Sequence, residues 1–239
     1  MLHFQIGEVL DRFPHFRVGV VSARGLFLTT ERIQEIDELI LNAEEQVAHS
    51  IGGAELGEVP ELKAWRKAYR EFGVKSTSFR SSVERLVKLV QRGRGIPKIC
   101  NLVDLYNTVS IVYRMPVGAD DLDCIVQPMG FRYGREGDTF IALGDSSQTP
   151  DPPVIGEVVY ADAEKCLCRR WNWYQDARSA INVERTKDAI ITIQSIDAGT
   201  AYHVEEACEY LADLLRKHCQ AECTWRVADS GQPTVEFCV

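Results

Sequence analysis

The run Pro97-Lys98-Ile99-Cys100-Asn101-Leu102-Val103-Asp104-Leu105-Tyr106-Asn107-Thr108-Val109-Ser110 interleaves apolar side chains with Asn101, Asp104, Asn107 and Ser110, which cannot all face water. Amides and carboxylates cost free energy when buried without partners, so such a run implies a hydrogen-bonded site or a chain reversal. As a pattern it reads as the wall of a pocket. It leads into Met115-Pro116-Val117-Gly118-Ala119-Asp120-Asp121-Leu122-Asp123, where carboxylates follow a glycine. No Gly-rich phosphate loop, His-Glu-x-x-His or Gly-x-Ser-x-Gly motif occurs, which sets aside the reaction classes those motifs carry.

The elements that must position these groups are legible in outline. Phe16–Val21 is a β-branched strand candidate. Ile33, Ile36, Leu39, Ile40, Ala43 and Val47 recur at helical spacing between Glu31 and about His49, before Gly52-Gly53. Leu62 to Phe72 is a second helix, with Trp65, Ala68 and Tyr69 on one face. Ser81-Ser82-Val83-Glu84 has the form of a capping box opening a third, which Gly93 and Gly95 end. Strands are expected at Thr108–Arg114, Cys124–Gln127, Thr139–Leu143 and Val158–Ala161, with Cys166 and Cys168 at alternating strand positions. Gly144 to Pro153 is a loop. Ala189–Ile196 is β-rich, His203–Cys219 is an amphipathic helix, and Thr224–Val227 and Thr234–Cys238 are strands. Helices and strands mix without regular βαβ alternation, so the expected class is α+β, with mixed sheets packed against helices.

The 239 residues suffice for one large domain, and a hydrophobic content of 45% allows an ordinary core. No apolar run approaches the roughly 20 residues of a membrane helix, and the N-terminus lacks a secretory pattern. The expectation is a cytoplasmic protein without a membrane partner. Eight cysteines are scattered rather than framed, and read as buried free thiols. Cys219-x-x-x-Cys223 beside His218 could form half a zinc site, but no second half has suitable spacing, so neither metal nor cofactor is expected. Net charge is −8, yet residues 63–98 hold eleven Lys and Arg against Glu71 and Glu84, a local charge of +9 that leaves −17 elsewhere. Such asymmetry suits one polyanion-binding surface, or else a pair of solvated basic helix faces.

A specific resemblance joins these features. A helix, then Gly95-Ile96-Pro97, Asn101, Val103-Asp104 and Asn107, then Pro116 and Asp121-Leu122-Asp123, resembles the B3/B4 module of the phenylalanyl-tRNA synthetase β subunit. Glu157-Val158-Val159-Tyr160-Ala161-Asp162 is similar to a strand of that family ending in Asp, and Thr186 with the apolar residues after it to a later strand. The resemblance covers roughly residues 65 to 195. Arg169-Arg170-Trp171-Asn172-Trp173 and its flanks look most like the free-standing B3/4-domain proteins. Residues 61–239 would then be the B3/4-like domain, and 1–60 an N-terminal α/β segment of the same fold.

The synthetase module hydrolyses the ester of a wrongly chosen amino acid on tRNA, so the resemblance implies a trans-acting editing hydrolase whose partner is aminoacyl-tRNA. An aminoacyl ester is already activated, and hydrolysis needs positioning more than a strong nucleophile. Asn107 or Ser110 would hold water, and backbone N–H groups around Gly118 would stabilise the oxyanion. Asp120, Asp121, Glu157 or Asp162 would bind the substrate ammonium, with Trp171 and Asn172 also on the substrate. Arg85, Lys88, Arg92, Arg169 and Arg170 would meet tRNA phosphates, with Trp171 or Trp173 stacking on a base. Two departures accompany the resemblance. Gly118 stands where the synthetase module has a His, and the bulky, polar stretch Trp171–Asn182 replaces a Gly-Gly region that reads the amino acid.

Each role has a structural rival. Asp104 and Asp121 could cap turns, Asn107 could be satisfied by backbone, and Arg170 could pair with Glu157. Trp171 and Trp173 alternate, so one could be core and the other surface. Two further functions also fit: a non-catalytic module that binds tRNA or an amino acid, and a small-molecule hydrolase whose pocket lies far from the basic surface. The chain carries no signature of oligomeric state.

Overall fold

Apolar periodicity and glycine placement build the described residues into two sheets and six α-helices. The computed structural model describes all residues except 76–77, 148, 197–202 and 238–239, so Cys238 lies outside the described residues. The order is β1 (Leu2–Gln5), α1 (Gly7–Leu10), β2 (Arg17–Arg24), α2 (Gln34–Ile51), α3 (Pro60–Glu71), α4 (Ser82–Gln91) and α5 (Asn101–Tyr113). There follow β3 (Val117–Asp121), a 3-10 turn (Leu122–Cys124), β4 (Met129–Tyr133), β5 (Val158–Ala161), β6 (Cys166–Arg169), β7 (Tyr174–Gln175), β8 (Ala189–Ser195), α6 (Val204–Cys219), β9 (Glu222–Ala228) and β10 (Thr234–Phe237).

One sheet has six strands in the order β10-β1-β4-β5-β6-β7 and the other has four, β3-β8-β2-β9. β1 pairs in parallel with β4, and the other pairings are antiparallel. The fold is therefore α+β with a mixed sheet, as the sequence implied. Residues 1–60 supply interior strands to both sheets, β1 between β10 and β4, and β2 between β8 and β9. No helix among the described residues is long and apolar enough to cross a membrane.

α5 is the central helix. It packs against α2, α4, α6 and β3, and its residues 101–105 and 107–111 are buried. That burial explains why Thr108–Arg114 is helix rather than the expected strand. The β-branched run prefers strands only weakly, and packing on several sides outweighs such a preference. Arg114 ends the helix in the left-handed region at φ 54°, just before Pro116. The acidic stretch after it becomes β3, an edge strand that its own Gly and Asp residues concealed. Cys124–Gln127 is a 3-10 turn followed by irregular chain, and Thr139–Leu143 makes only isolated bridges.

α4 begins where the capping motif placed it, by a different interaction. Ser81 Oγ is buried and has no hydrogen-bond partner among the described residues. The Glu84 carboxylate accepts from Arg66 Nε at 3.0 Å and Nη2 at 2.8 Å, and lies 3.1 Å from Arg80 Nε. Glu84 thus ties α3 to α4 instead of reaching back to its own helix.

α6 covers the four-stranded sheet, and Gly19 of β2 lets it sit close. A Cβ at Gly19 would lie 2.1 Å from Cys208 Sγ and 2.8 Å from Val204 Cγ1. Gly19→Ala is expected to destabilise the chain by about 1–3 kcal/mol through overpacking. Chemical denaturation measures this, and Cys208→Ala in the same chain should restore part of the loss.

Candidate functional site

Of Asn101, Asp104, Asn107 and Ser110, three are satisfied inside the protein. Asn101 Oδ1 accepts from the Thr29 N–H at 3.1 Å, and its Nδ2 donates to Phe27 O at 2.8 Å and His218 O at 3.2 Å. Asp104 accepts from the Ile99 N–H at 2.7 Å and from Arg32 Nη1 at 2.8 Å. Ser110 Oγ donates to Met115 O at 2.7 Å, so this hydroxyl closes the end of α5 and does not face the cavity described next. Asn107 differs: its side chain is buried, makes no hydrogen bond among the described residues, and lines a cavity of about 250 Å³.

Four walls enclose that cavity. α4 contributes Ser82, Arg85, Leu86 and Leu89, at helical spacing on one face. α5 contributes Tyr106 and Asn107, and β3 contributes residues 117–120. Beside β3, β8 supplies Thr192 and Gln194. The fourth wall is Asn172, Trp173, Tyr174 and Gln175, four consecutive residues, with Tyr160, Leu167 and Cys168 behind them. The volume falls just below the ~300 Å³ at which ligand pockets usually begin. It suits an amino-acid-sized group and not a whole nucleotide.

Gly118 is paired across the ladder with Thr192, and a Cβ on it would meet nothing within 4 Å. Its missing side chain is therefore open cavity. Gln194 Nε2 donates to Thr192 Oγ1 at 3.2 Å, Asn172 Nδ2 donates to Gln194 Oε1 at 3.0 Å, and the Tyr69 hydroxyl donates to Asn172 Oδ1 at 2.9 Å. This relay fixes the amide orientations along one wall.

Asp120 is the acidic group of the cavity. Its Oδ1 accepts from Ser179 Oγ at 2.6 Å and Gln175 Nε2 at 3.1 Å. Its Oδ2 makes no hydrogen bond among the described residues, and no Lys or Arg there forms an ion pair with it. Burial pushes its pKa up to about 7, against the pull of the Ser179 and Gln175 hydrogen bonds. Burial also raises the pKa of the Cys168 thiol and the Tyr106 phenol, so both are neutral at pH 7. The cavity thus offers a carboxylate, an unpartnered amide and apolar walls, but no thiolate nucleophile. No histidine lines it among the described residues.

A second cleft adjoins the first. Arg66, Arg80, Arg85 and Lys88 line it with Glu84, Ser78, Trp173 and Tyr174. Arg85, Trp173 and Tyr174 belong to both, so the cavity opens beside cations and aromatic rings. Arg85 Nη1 donates to Trp173 O at 3.2 Å, and its guanidinium lies 5.6 Å from the Tyr174 ring centroid.

The remaining residues singled out in the sequence lie elsewhere. Glu157 accepts from Arg169 Nε at 3.1 Å, Arg169 Nη2 at 2.9 Å and the Arg170 N–H at 2.8 Å. Glu157 and Arg169 are therefore a buried structural pair, away from the cavity, because two buried charges need each other. Arg170 does not pair through its side chain with Glu157. Its guanidinium stacks 3.8 Å from the Phe79 centroid and 4.6 Å from that of Trp173. Trp171 is fully buried among Phe13, Phe16, Trp65 and Phe72, so of the alternating tryptophans Trp171 is core and Trp173 lines the cavity. Asp121 accepts from Thr186 Oγ1 at 2.7 Å and the Asp123 N–H at 3.1 Å, as a turn-capping group. Asp162 accepts from Lys165 Nζ at 2.6 Å and the Val126 N–H at 3.0 Å, and holds a loop. Arg92 caps the end of α4, outside both clefts. Asn107, Gly118, Asp120, Asn172 and Arg85 are thus brought together, with Lys88 beside them. Thr192 and Gln194 escaped the sequence reading, although two polar residues at alternate positions of an apolar strand were a usable signal.

The seven cysteines among the described residues are free, and five are buried. No group of three His, Cys, Asp or Glu side chains that could hold a metal occurs among the described residues.

A family model described as B3/4 domain matches residues 64–220, about two thirds of the chain. No curated protein matches. A solved structure, the N-terminal fragment of the phenylalanyl-tRNA synthetase β subunit from Pyrococcus horikoshii, is similar at 11% identity with a TM-score of 0.44. The similarity covers 90% of this chain and 48% of that one, so the chain spans about half the length of the fragment.

The raised pKa of Asp120 makes a stability prediction. Above about pH 7 the folded state carries a desolvated carboxylate that the unfolded chain would hydrate. The folded state binds the extra proton between the unfolded and folded pKa values, so this group's contribution to stability falls as pH rises through that window. Asp120→Asn keeps an acceptor for Ser179 and Gln175 and removes the charge. It should raise the melting temperature at pH 8 and lose that advantage by pH 4, as followed by calorimetry across pH.

Proposed function

Because this chain belongs to the B3/4 domain family, we propose that it is an aminoacyl-tRNA deacylase acting in trans, cleaving the ester that joins a wrongly chosen amino acid to tRNA. The observation that carries the reading is the juxtaposition at Arg85, Trp173 and Tyr174. There a small cavity holding one unpaired carboxylate opens into a cleft of cations and aromatic rings. The aminoacyl end of a tRNA has the matching polarity: an ammonium on the amino acid, phosphates and stacked bases behind it.

In this reading the ionised Asp120 Oδ2 takes the ammonium, and Leu86, Leu89, Val117 and Leu167 surround the amino-acid side chain. Asn107 holds the attacking water. The Leu122 N–H donates to Asp188 O and the Gln194 N–H to Pro116 O, so even-numbered β3 residues face β8. By the alternation of an antiparallel ladder, the N–H of Ala119 points to the edge of β3 away from β8; there the Asp121 N–H is taken by Ser179 O, whereas the Ala119 N–H makes no hydrogen bond among the described residues and can meet a developing oxyanion. Water attacks the carbonyl carbon, and collapse of the tetrahedral intermediate breaks its bond to the ribose oxygen. One hydrogen of the water passes to that oxygen through the vicinal hydroxyl. A proton goes to solvent as the amino acid's carboxylate forms. No side-chain nucleophile is required.

A second reading, a binding module without catalysis, is favoured by one observation. Gly118 leaves open space where the synthetase module carries a His. Calorimetry with amino acids and uncharged tRNA separates the two, since a binder would retain both ligands and turn over nothing.

Deacylation of a panel of misacylated tRNAs tests the proposal. Turnover on at least one member is expected, and Asn107→Ala should lower its kcat about 100-fold, the scale of losing one positioned polar group. Gly118→Val should abolish turnover by filling the cavity while leaving the melting temperature within a few degrees. Turnover on none of the panel would overturn the deacylase. For any active substrate, kcat/KM should rise with pH through about 7 as Asp120 ionises.

A further inference from the structure

A third cleft lies on the other flank of α3 and belongs to neither site above. Its volume is about 590 Å³, and its lining includes Arg12, His15, Lys63, Lys67, Arg70 and Glu71. Lys63, Lys67 and Arg70 recur at i, i+4 and i+7, which makes one stripe along α3. Arg12 and His15 face them from the segment between α1 and β2. All five are exposed. Lys63 pairs with Glu58 at 3.0 Å and Lys67 with Glu71 at 3.8 Å, both on the surface, where such pairs contribute little. Arg12, His15 and Arg70 make no ion pair among the described residues.

We infer that this cleft is a second anion-binding surface, which holds the phosphate backbone of a duplex RNA stem. The inference rests on the tRNA reading above and extends it to a part of the molecule remote from the ester. Several features select this ligand. Four Lys and Arg with one histidine converge against one carboxylate in a chain whose net charge is −8. An extended row of cations fits a repeating phosphodiester better than a single phosphate. The aromatic ring in the cleft, Phe13, is buried, so no broad exposed ring offers a platform for unpaired bases. The cleft beside the cavity has the complementary property, with Trp173 and Tyr174 at hand. Arg66, adjacent to Lys67 on α3, lies in that second cleft, so α3 carries cations into both the second and the third. A single-stranded 3′ end over the aromatic rings and a stem across α3 form one continuous path.

The test uses the full chain and a fluorescently labelled, uncharged tRNA transcript, with anisotropy recorded between 50 and 200 mM salt. Lys67→Gln with Arg70→Gln should weaken binding roughly tenfold at the lower salt and flatten the dependence of log K on log salt by about two. Both residues are exposed, so circular dichroism and the melting temperature should not change. A blunt RNA duplex should compete with tRNA, whereas millimolar inorganic phosphate should not. An unchanged affinity and salt slope in the double variant would overturn the inference, as would failure of the unaltered chain to bind tRNA. The readout does not involve ester cleavage. Groove-dependent binding without hydrolysis supports this surface and removes the deacylase; hydrolysis with groove-independent binding does the reverse.

Discussion

The candidate site hangs from one buried side chain. Trp171 is enclosed by Phe13, Phe16, Trp65 and Phe72, and so links the end of β6 to α3 and to the segment after α1. To reach that position the backbone takes φ values of 46° at Arg170 and 67° at Trp171, two successive non-glycine residues in the left-handed region. Each costs on the order of 1 kcal/mol or more, and burial of an indole among aromatic rings offsets it. The Glu157 carboxylate steadies the same turn by accepting from the Arg169 side chain and the Arg170 N–H. The next four residues, Asn172 to Gln175, then form a cavity wall. An anchor of this kind places four consecutive side chains at a site without requiring a long regular strand to carry them.

The opposite wall follows from polar satisfaction. α5 is almost wholly buried, so each of its polar side chains must find a partner or face a space that supplies one. Asn101 fastens the segment around Phe27 and Thr29 to the end of α6, Asp104 fixes the helix entry with Arg32, and Ser110 closes the exit. With those three accounted for, the free amide of Asn107 marks the direction of the cavity. Asp120 obeys the same constraint from β3. One of its oxygens is held by Ser179 and Gln175, and the other makes no hydrogen bond among the described residues.

This division also explains what could be read from the sequence. The interleaving of polar and apolar residues announced a site in α5, because partner requirements are local chemistry. Helix periodicity placed α2, α3, α4 and α6 within a few residues. What the pattern could not separate was a polar group satisfied by the fold from one that serves a ligand. Glu157, Asp121 and Asp162 have the same composition as binding carboxylates, and their partners, Arg169, Thr186 and Lys165, are matters of tertiary placement. Thr108–Arg114 looked like a strand because β preference is weak and packing on several sides, which decided the outcome, is not encoded in a short window. β3 was hidden for the converse reason: Gly and Asp are poor strand formers, and its partner β8 supplies the apolar residues.

The charge distribution orders these pieces. The cavity interior is acidic at Asp120, its mouth is basic at Arg85 and Lys88, and α3 continues the positive surface toward Arg12. A free amino acid can satisfy the interior alone, and an uncharged RNA end the exterior alone. A ligand with an ammonium at its tip and phosphates behind it meets both at once, and the separation of the two regions sets its orientation. The negative charge over the rest of the chain opposes other approaches of a polyanion, so long-range steering and local recognition act in the same direction. For such a ligand, affinity from the exterior cations would fall with salt, while the desolvated carboxylate inside would be screened much less. For that ligand, binding strength and discrimination at its tip would be governed by physically distinct parts of one surface.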